Sequence, residues 1–217
     1  MNRVDLPYQE ARPLIREGDI LLFRGAGWVS YFISRAGESP YTHCAVASWI
    51  NDNNGGILEC VEFREGKGGR SVNLSIQVDN LPGQIDVYRP IPSVTHWEYN
   101  PISEDPFSLI RQDLDARAVT NTMRKMTGLP YGWKRIWWLF KHKAIVLRLF
   151  TDVEGLTADE LEDIVYPVCS TALAYCFNKN GYDLIHNKSD QWAEPADIAR
   201  SARISYLFTL TKSSSLV

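Results

Sequence analysis

No window of this 217-residue chain reaches the about 18 uncharged apolar residues that a membrane-spanning helix needs, so a spanning helix is excluded at the outset. The first nineteen residues carry charges throughout and contain no continuous apolar stretch of the kind a secretory signal requires, and a cytoplasmic protein is the expectation. Neither C-x-x-C nor H-E-x-x-H occurs, so a structural zinc site has little support and no cofactor is expected. A net charge of -3, with no zinc-finger spacing, argues against nucleic acid as a partner. No Gly/Ser-rich or Pro-rich stretch separates two hydrophobic halves. The expected organisation is therefore one domain over 1–217, with a helical insertion at about 100–165.

What the chain does contain is 45% hydrophobic and 23% charged residues, the balance of a globular core with a solvated surface. Glu17-Gly18-Asp19 is a turn signal, and the apolar run at 20–23 after it reads as a buried strand. Residues 24–38 read as a Gly-punctuated helix stopped by Ser39-Pro40. Strands are expected at 41–50 and 57–63, folded into a hairpin about Asn51 to Gly56. Further strands are expected at 71–78, 84–88 and 204–210, and helices at 105–127, 131–149, 157–164 and 169–178. Thr157 to Glu160 has capping-box spacing, and Asn180-Gly181 supplies a left-handed stop after the last of those helices.

The four cysteines suit a reducing compartment. Cys169 and Cys176, seven residues apart on one helix, would lie about 10 Å apart, beyond disulfide reach. Pro167 just ahead of Cys169 is compatible with helix entry and not with a helix interior, which puts Cys169 in the first turn. A thiol there meets unpaired N–H groups and the positive end of the helix dipole, both of which favour thiolate. Taken alone it could equally be a small buried hydrophobe.

His43 opens a strand directly after a loop, where a base can be both held and exposed. His96, His142 and His186 are tied to no second candidate group. A base needs an orienting acid, and Glu59 lies on the returning strand of the same hairpin. An even-length turn would put Glu62 on the face shared with His43, and an odd turn or a bulge would put Glu59 there. Glu59 is the first choice here and Glu62 the reserve.

The segments Gly18-Asp19-Ile20-Leu21-Leu22-Phe23, Ser39-Pro40-Tyr41-Thr42-His43-Cys44-Ala45-Val46, Ile57-Leu58-Glu59-Cys60, Gly128-Leu129-Pro130-Tyr131 and Cys169-Ser170 together resemble one family. It is the circularly permuted, YiiX-like branch of the NlpC-type cysteine peptidases, a papain-like superfamily related to the lecithin:retinol acyltransferases. The resemblance covers roughly residues 15 to 180. It implies an α+β fold with an antiparallel sheet packed against the cysteine helix. It also implies Cys169 as nucleophile, His43 as base and Glu59 as its polar partner, the permutation explaining why histidine precedes cysteine. Thr171 stands where family members commonly carry an acid, and Cys44 where they carry an aliphatic residue.

In those roles Cys169 attacks a carbonyl, its own N–H donates to the oxyanion, and an acyl-enzyme forms. Tyr131 reads either as a second polar group at the site or as a core anchor. Residues 133–150 combine five basic residues with many rings. Their hydrophobics surround the helical wheel, which favours a packed helix over peripheral lipid contact. The leading function is a cysteine hydrolase that cuts an amide, with cell-wall-type peptides among the substrates considered. A lipid acyltransferase or thioesterase using the same triad is the alternative, and a non-catalytic binding module is the third class.

Overall fold

A computed structural model describes residues 3–25, 39–51, 56–99, 102, 106–132, 168–186 and 188–212. Its main element is a seven-stranded sheet. The strands are β1 (Asp5–Pro7), β2 (Ile20–Arg24), β3 (His43–Ile50), β4 (Ile57–Arg64), β5 (Gly68–Asn73), β6 (Gln84–Pro90) and β9 (Ile204–Thr211). They lie in the order β1-β9-β6-β2-β3-β4-β5. Every neighbouring pair is antiparallel except β1 with β9, so the sheet is mixed and not the wholly antiparallel one expected.

The helices are α1 (Tyr8–Ala11), α2 (Leu74–Asn80), α3 (Ala116–Lys125), α4 (Cys169–Lys179) and α5 (Pro195–Arg200). The central strands β2 and β3 are buried on both sides because each face of the sheet is covered. Successive side chains of a strand point to opposite faces. Leu22, Cys44, Val46, Val61 and Phe63 accordingly join one core with Leu173 and Phe177 of α4 and Val119 and Met123 of α3. Leu21, Phe23, Ala45, Ala47, Leu58 and Cys60 join the other, with Leu74 and Val78 of α2 and Tyr8 and Ala11 of α1. The α+β class is thus set by one sheet between two unequal helical layers.

The helix α4 begins at Cys169, where the proline signal puts its first turn, and Val168 N–H donates to Thr171 Oγ1 at 3.1 Å to satisfy one terminal donor. Gly181 takes φ +78 just past its end, as Asn180-Gly181 predicts.

Two expected elements are different in the structure. The span 105–127 is not one helix: β8 (Phe107–Asp113) pairs antiparallel with β7 (Ser93–Tyr99), and α3 starts only after Asp115, whose Oδ1 accepts Ala118 N–H at 2.9 Å. The expected helical insertion therefore contains a strand. The span 71–78 is not one strand either, because Asn73 Oδ1 accepts Ser75 N–H at 3.1 Å and opens α2 in its place. Residues 26–38 of the expected 24–38 helix lie outside the described residues, Arg24 itself closing β2. The expected helices at 131–149 (from 133 on) and 157–164, with the basic aromatic segment 133–150, also lie outside them.

The β7–β8 ribbon is a separate two-stranded sheet. One side of it carries Trp97 opposite Leu109 and Tyr99 opposite Phe107, all exposed. Its base is held by Leu114 N–H donating to Pro92 O at 2.9 Å and by the buried Tyr182, whose hydroxyl donates to Ile91 O at 2.9 Å. Among the described residues no helix is long and apolar enough to cross a membrane.

Candidate active site

The site is gathered where β3 begins and β4 ends. Phe23 of β2 pairs with His43 and packs against its imidazole edge to face, ring centres 4.9 Å apart, which fixes the ring plane. Across the hairpin Ile50 faces Ile57 and Ala45 faces Glu62, so six residues separate the strands and the turn is of the even kind. Glu62 then shares a face with Ala45 and with His43 two residues before it. His43 Nε2 and Glu62 Oε2 are 2.6 Å apart.

Glu62, and not Glu59, is thus the acid in contact with His43. Glu59 projects to the opposite face, where its Oε2 accepts from Ser71 Oγ and Arg124 Nη1. The reason is strand alternation: the two acids are three positions apart on β4, an odd step, and so point to opposite faces.

Glu62 is fully buried and has every oxygen engaged. Oε1 accepts from Arg70 Nε at 2.8 Å and from Gln77 Nε2 at 2.7 Å, and Arg70 Nη2 also donates to it. Burial by itself would raise the carboxyl pKa. The His43 charge and hydrogen bond, followed by Arg64 and Arg70, outweigh it and lower the pKa to about 2. Arg70, Gln77 and Arg64 were not singled out in the sequence. A signal for Arg70 existed, since the Glu65-to-Gly68 turn makes β5 the next hairpin neighbour and sets Arg70 directly opposite Glu62.

Cys169 is 6% exposed and lies in the same core as Cys44. Its thiol is held well below the ordinary range, first by hydrogen bonding from the Cys44 thiol, against burial, and then by the charge and hydrogen bond of His43, with the Cys44 amide adding a further bond. For His43 the balance is reversed: burial lowers its pKa, yet the Cys169 and Glu62 charges and hydrogen bonds raise it to about 9. With Nε2 committed to Glu62, Nδ1 is the nitrogen left for Cys169. Each charge favours the other, thiolate on Cys169 and imidazolium on His43.

Cys44 is completely buried, and its own pKa is pushed well up by burial and by the sulfur it serves. A protonated Cys44 thiol thus favours the thiolate of Cys169. Cys44→Val should slow alkylation of Cys169 by iodoacetamide at neutral pH about tenfold, since a hydrogen bond to a charged group contributes about 1.5 kcal/mol, and Cys44→Ser should recover part of the rate. Equal rates in wild type and Cys44→Val would remove this role.

Tyr131 packs against the same core, and its phenol pKa is raised by burial and then by the Cys169 charge, so it lies within electrostatic reach of the sulfur. What brings it there is the close approach of residues 126–130 to β5. Gly69 N–H donates to Leu129 O and Gly128 N–H to Gly69 O, each at 2.8 Å. A Cβ on Gly68 or Gly69 would collide with the Leu129 or Met126 carbonyl oxygen.

The fold and this cluster define an α+β protein that collects a cysteine, a histidine and a glutamate at one end of two central strands. No family model and no curated protein matches the sequence. A solved structure described as metalloprotein yiiX from Escherichia coli O157:H7, DUF1105, is similar over 89% of this chain and 96% of that chain, at 14% identity and a TM-score of 0.47. Among the described residues no group of three His, Cys, Asp or Glu side chains is disposed to hold a metal ion.

Proposed function

We propose that this chain is a cysteine hydrolase of the amidase or peptidase type, with Cys169 as nucleophile, His43 as its acid and base, and Glu62 as the residue that positions His43. The observation that carries the reading is the 2.6 Å contact of His43 with a buried, fully bonded Glu62, beside a Cys169 whose charge and that of His43 act on one another. A carboxylate so held keeps the imidazole in one tautomer and one orientation. It also favours the imidazolium that must later give up a proton.

The Cys169 thiolate adds to the substrate carbonyl. The resulting oxyanion is met by the Cys169 N–H, one of the unpaired donors of the first helical turn, and by the Tyr131 hydroxyl as a second donor. The His43 Nδ1 proton passes to the leaving amine as the C–N bond breaks, giving a thioester on Cys169. Neutral His43 then takes a proton from water, whose oxygen displaces the thiolate and releases the acid.

The test is intact-mass analysis after incubation with a panel of peptide, cell-wall-type peptide and lipid acyl donors. The expected result is a transient acyl group mapped to Cys169, absent in Cys169→Ala, and released to water. Release to an added alcohol or amine in preference to water would make the chain an acyltransferase with the same machinery. No acylation by any donor would favour a binding module.

A further inference from the structure

The ladder between β3 and β4 ends at Ala45 opposite Glu62. Two residues further along the same face, the chain direction brings Arg64 across from His43, at the last position of β4. Arg64 Nη1 is 3.7 Å from Glu62 Oε2, near enough for charge attraction and too far for a hydrogen bond. Arg64 helps keep that carboxylate ionised by its charge alone, because Arg70, Gln77 and His43 already occupy both oxygens with hydrogen bonds. Arg64 makes no side-chain hydrogen bond among the described residues, and its side chain is 33% exposed.

The site holds two anions, the Cys169 thiolate and Glu62, and three cations, His43, Arg70 and Arg64, and of these cations Arg64 is the one with no hydrogen bond to Glu62. Arg64 remains as a surplus cation beside the reacting groups, and its charge also reaches Tyr131. Glu65 follows it in the chain, is exposed and acts on Tyr131 more strongly than Arg64 does, but it forms no ion pair with Arg64 within 4.0 Å among the described residues. A guanidinium offers five N–H donors in a planar fork that matches a carboxylate.

We infer that Arg64 is a recognition residue for an anionic substrate, holding a carboxylate next to the carbonyl that Cys169 attacks. This rests on the reading of Cys169 as the nucleophile, and it narrows the acyl donors to those carrying a negative group close to the scissile bond. An amide flanked by a free carboxylate fits. A long neutral acyl chain leaves the guanidinium without a partner.

The probe pair iodoacetate and iodoacetamide tests it, since the two reagents differ in one charge placed next to the reacting carbon. Their alkylation rates at Cys169 are measured by peptide mass spectrometry in the whole protein, with the denatured chain as reference. Native protein should favour iodoacetate over iodoacetamide relative to that reference, with a rate that saturates in iodoacetate. Arg64→Gln should lower the iodoacetate-to-iodoacetamide ratio about tenfold, equivalent to about 1.4 kcal/mol, and Arg64→Lys should keep part of it. Acetate should compete with iodoacetate; competition by inorganic phosphate alone would overturn the carboxylate assignment. A ratio unchanged in Arg64→Gln overturns the proposal. So does a parallel fall of both rates, which would make Arg64 a support for Glu62. If neither reagent prefers Cys169 over Cys176, the nucleophile itself is wrong and this inference falls with it.

Discussion

Glu62→Gln is expected to destabilise the protein by about 3 kcal/mol and to slow Cys169 alkylation, whereas Glu59→Gln should leave that alkylation within about twofold of wild type. The glutamine keeps the shape of the side chain and removes its charge, so Arg70, Arg64 and protonated His43 face one another with no anion between them. The lower end of the range for a broken buried pair applies because the Arg70 side chain is 22% and that of Arg64 33% exposed, and both can draw water. A depressed carboxyl pKa contributes stability above its unfolded value and loses it as pH falls through the folded one. With Glu62 lowered to about 2, its share is present above about pH 4.3 and lost on acidification toward 2, and that share of the acid limb should disappear in Glu62→Gln. Denaturant unfolding at several pH values and site-resolved alkylation check both halves. A larger loss of Cys169 reactivity in Glu59→Gln would contradict the arrangement described.

His43→Ala is expected to slow alkylation of Cys169 at pH 7 by up to about thirtyfold, the factor that separates a full thiolate from a thiol with pKa near 8.5. In wild type the rate should already be flat at neutral pH and stay so up to about 9, where the imidazolium loses its proton. Acyl transfer to a poor leaving amine should fall above that pH even though the thiolate persists, because its proton donor is gone. Cys176, pushed up to about 12 mainly by burial, and Cys44 and Cys60, pushed well up, should react only after unfolding. Rates that climb with pH for Cys169 as they do in the denatured chain would show an ordinary thiol.

The dipole of α4 alone could not produce this contrast. A helix N-terminus contributes up to about 1 kcal/mol at an exposed site, less than one tenfold step. The structure adds the Cys44 donor, which neighbours the sulfur from β3.

Local signals located the elements that carry much of the candidate site. The proline before Cys169, the strand after Ser39-Pro40 and the Asn51-to-Gly56 turn each act within a few residues, and each has its expected element in the structure. The choice between Glu59 and Glu62 was not legible in the same way. Alternation admits either one until the register is known, and what distinguishes them is the company on each face: Arg70 and Gln77 for one, Arg124 for the other. Those partners come from β5, α2 and α3, the first and last of which depend on pairing and packing beyond the hairpin. The strand at Phe107–Asp113 was missed for a related reason. Its seven residues have no helical or strand identity apart from their partner at Ser93–Tyr99, and tertiary context decided it.

That ribbon has a further consequence. An isolated pair of strands is marginal in water, and among the described residues this one has no third strand on either edge and exposes its apolar side. The body holds it at its base through Tyr182 and the Leu114 amide, through Gln112 with Asp183 and Arg203, and nearer its middle through His96 packed on His186. Exchange of its amide protons with solvent is therefore governed by local opening of the ribbon, while those of β2 and β3 wait for the whole sheet to come apart. The chain has two clocks, and the slower one belongs to the strands that hold His43 in place.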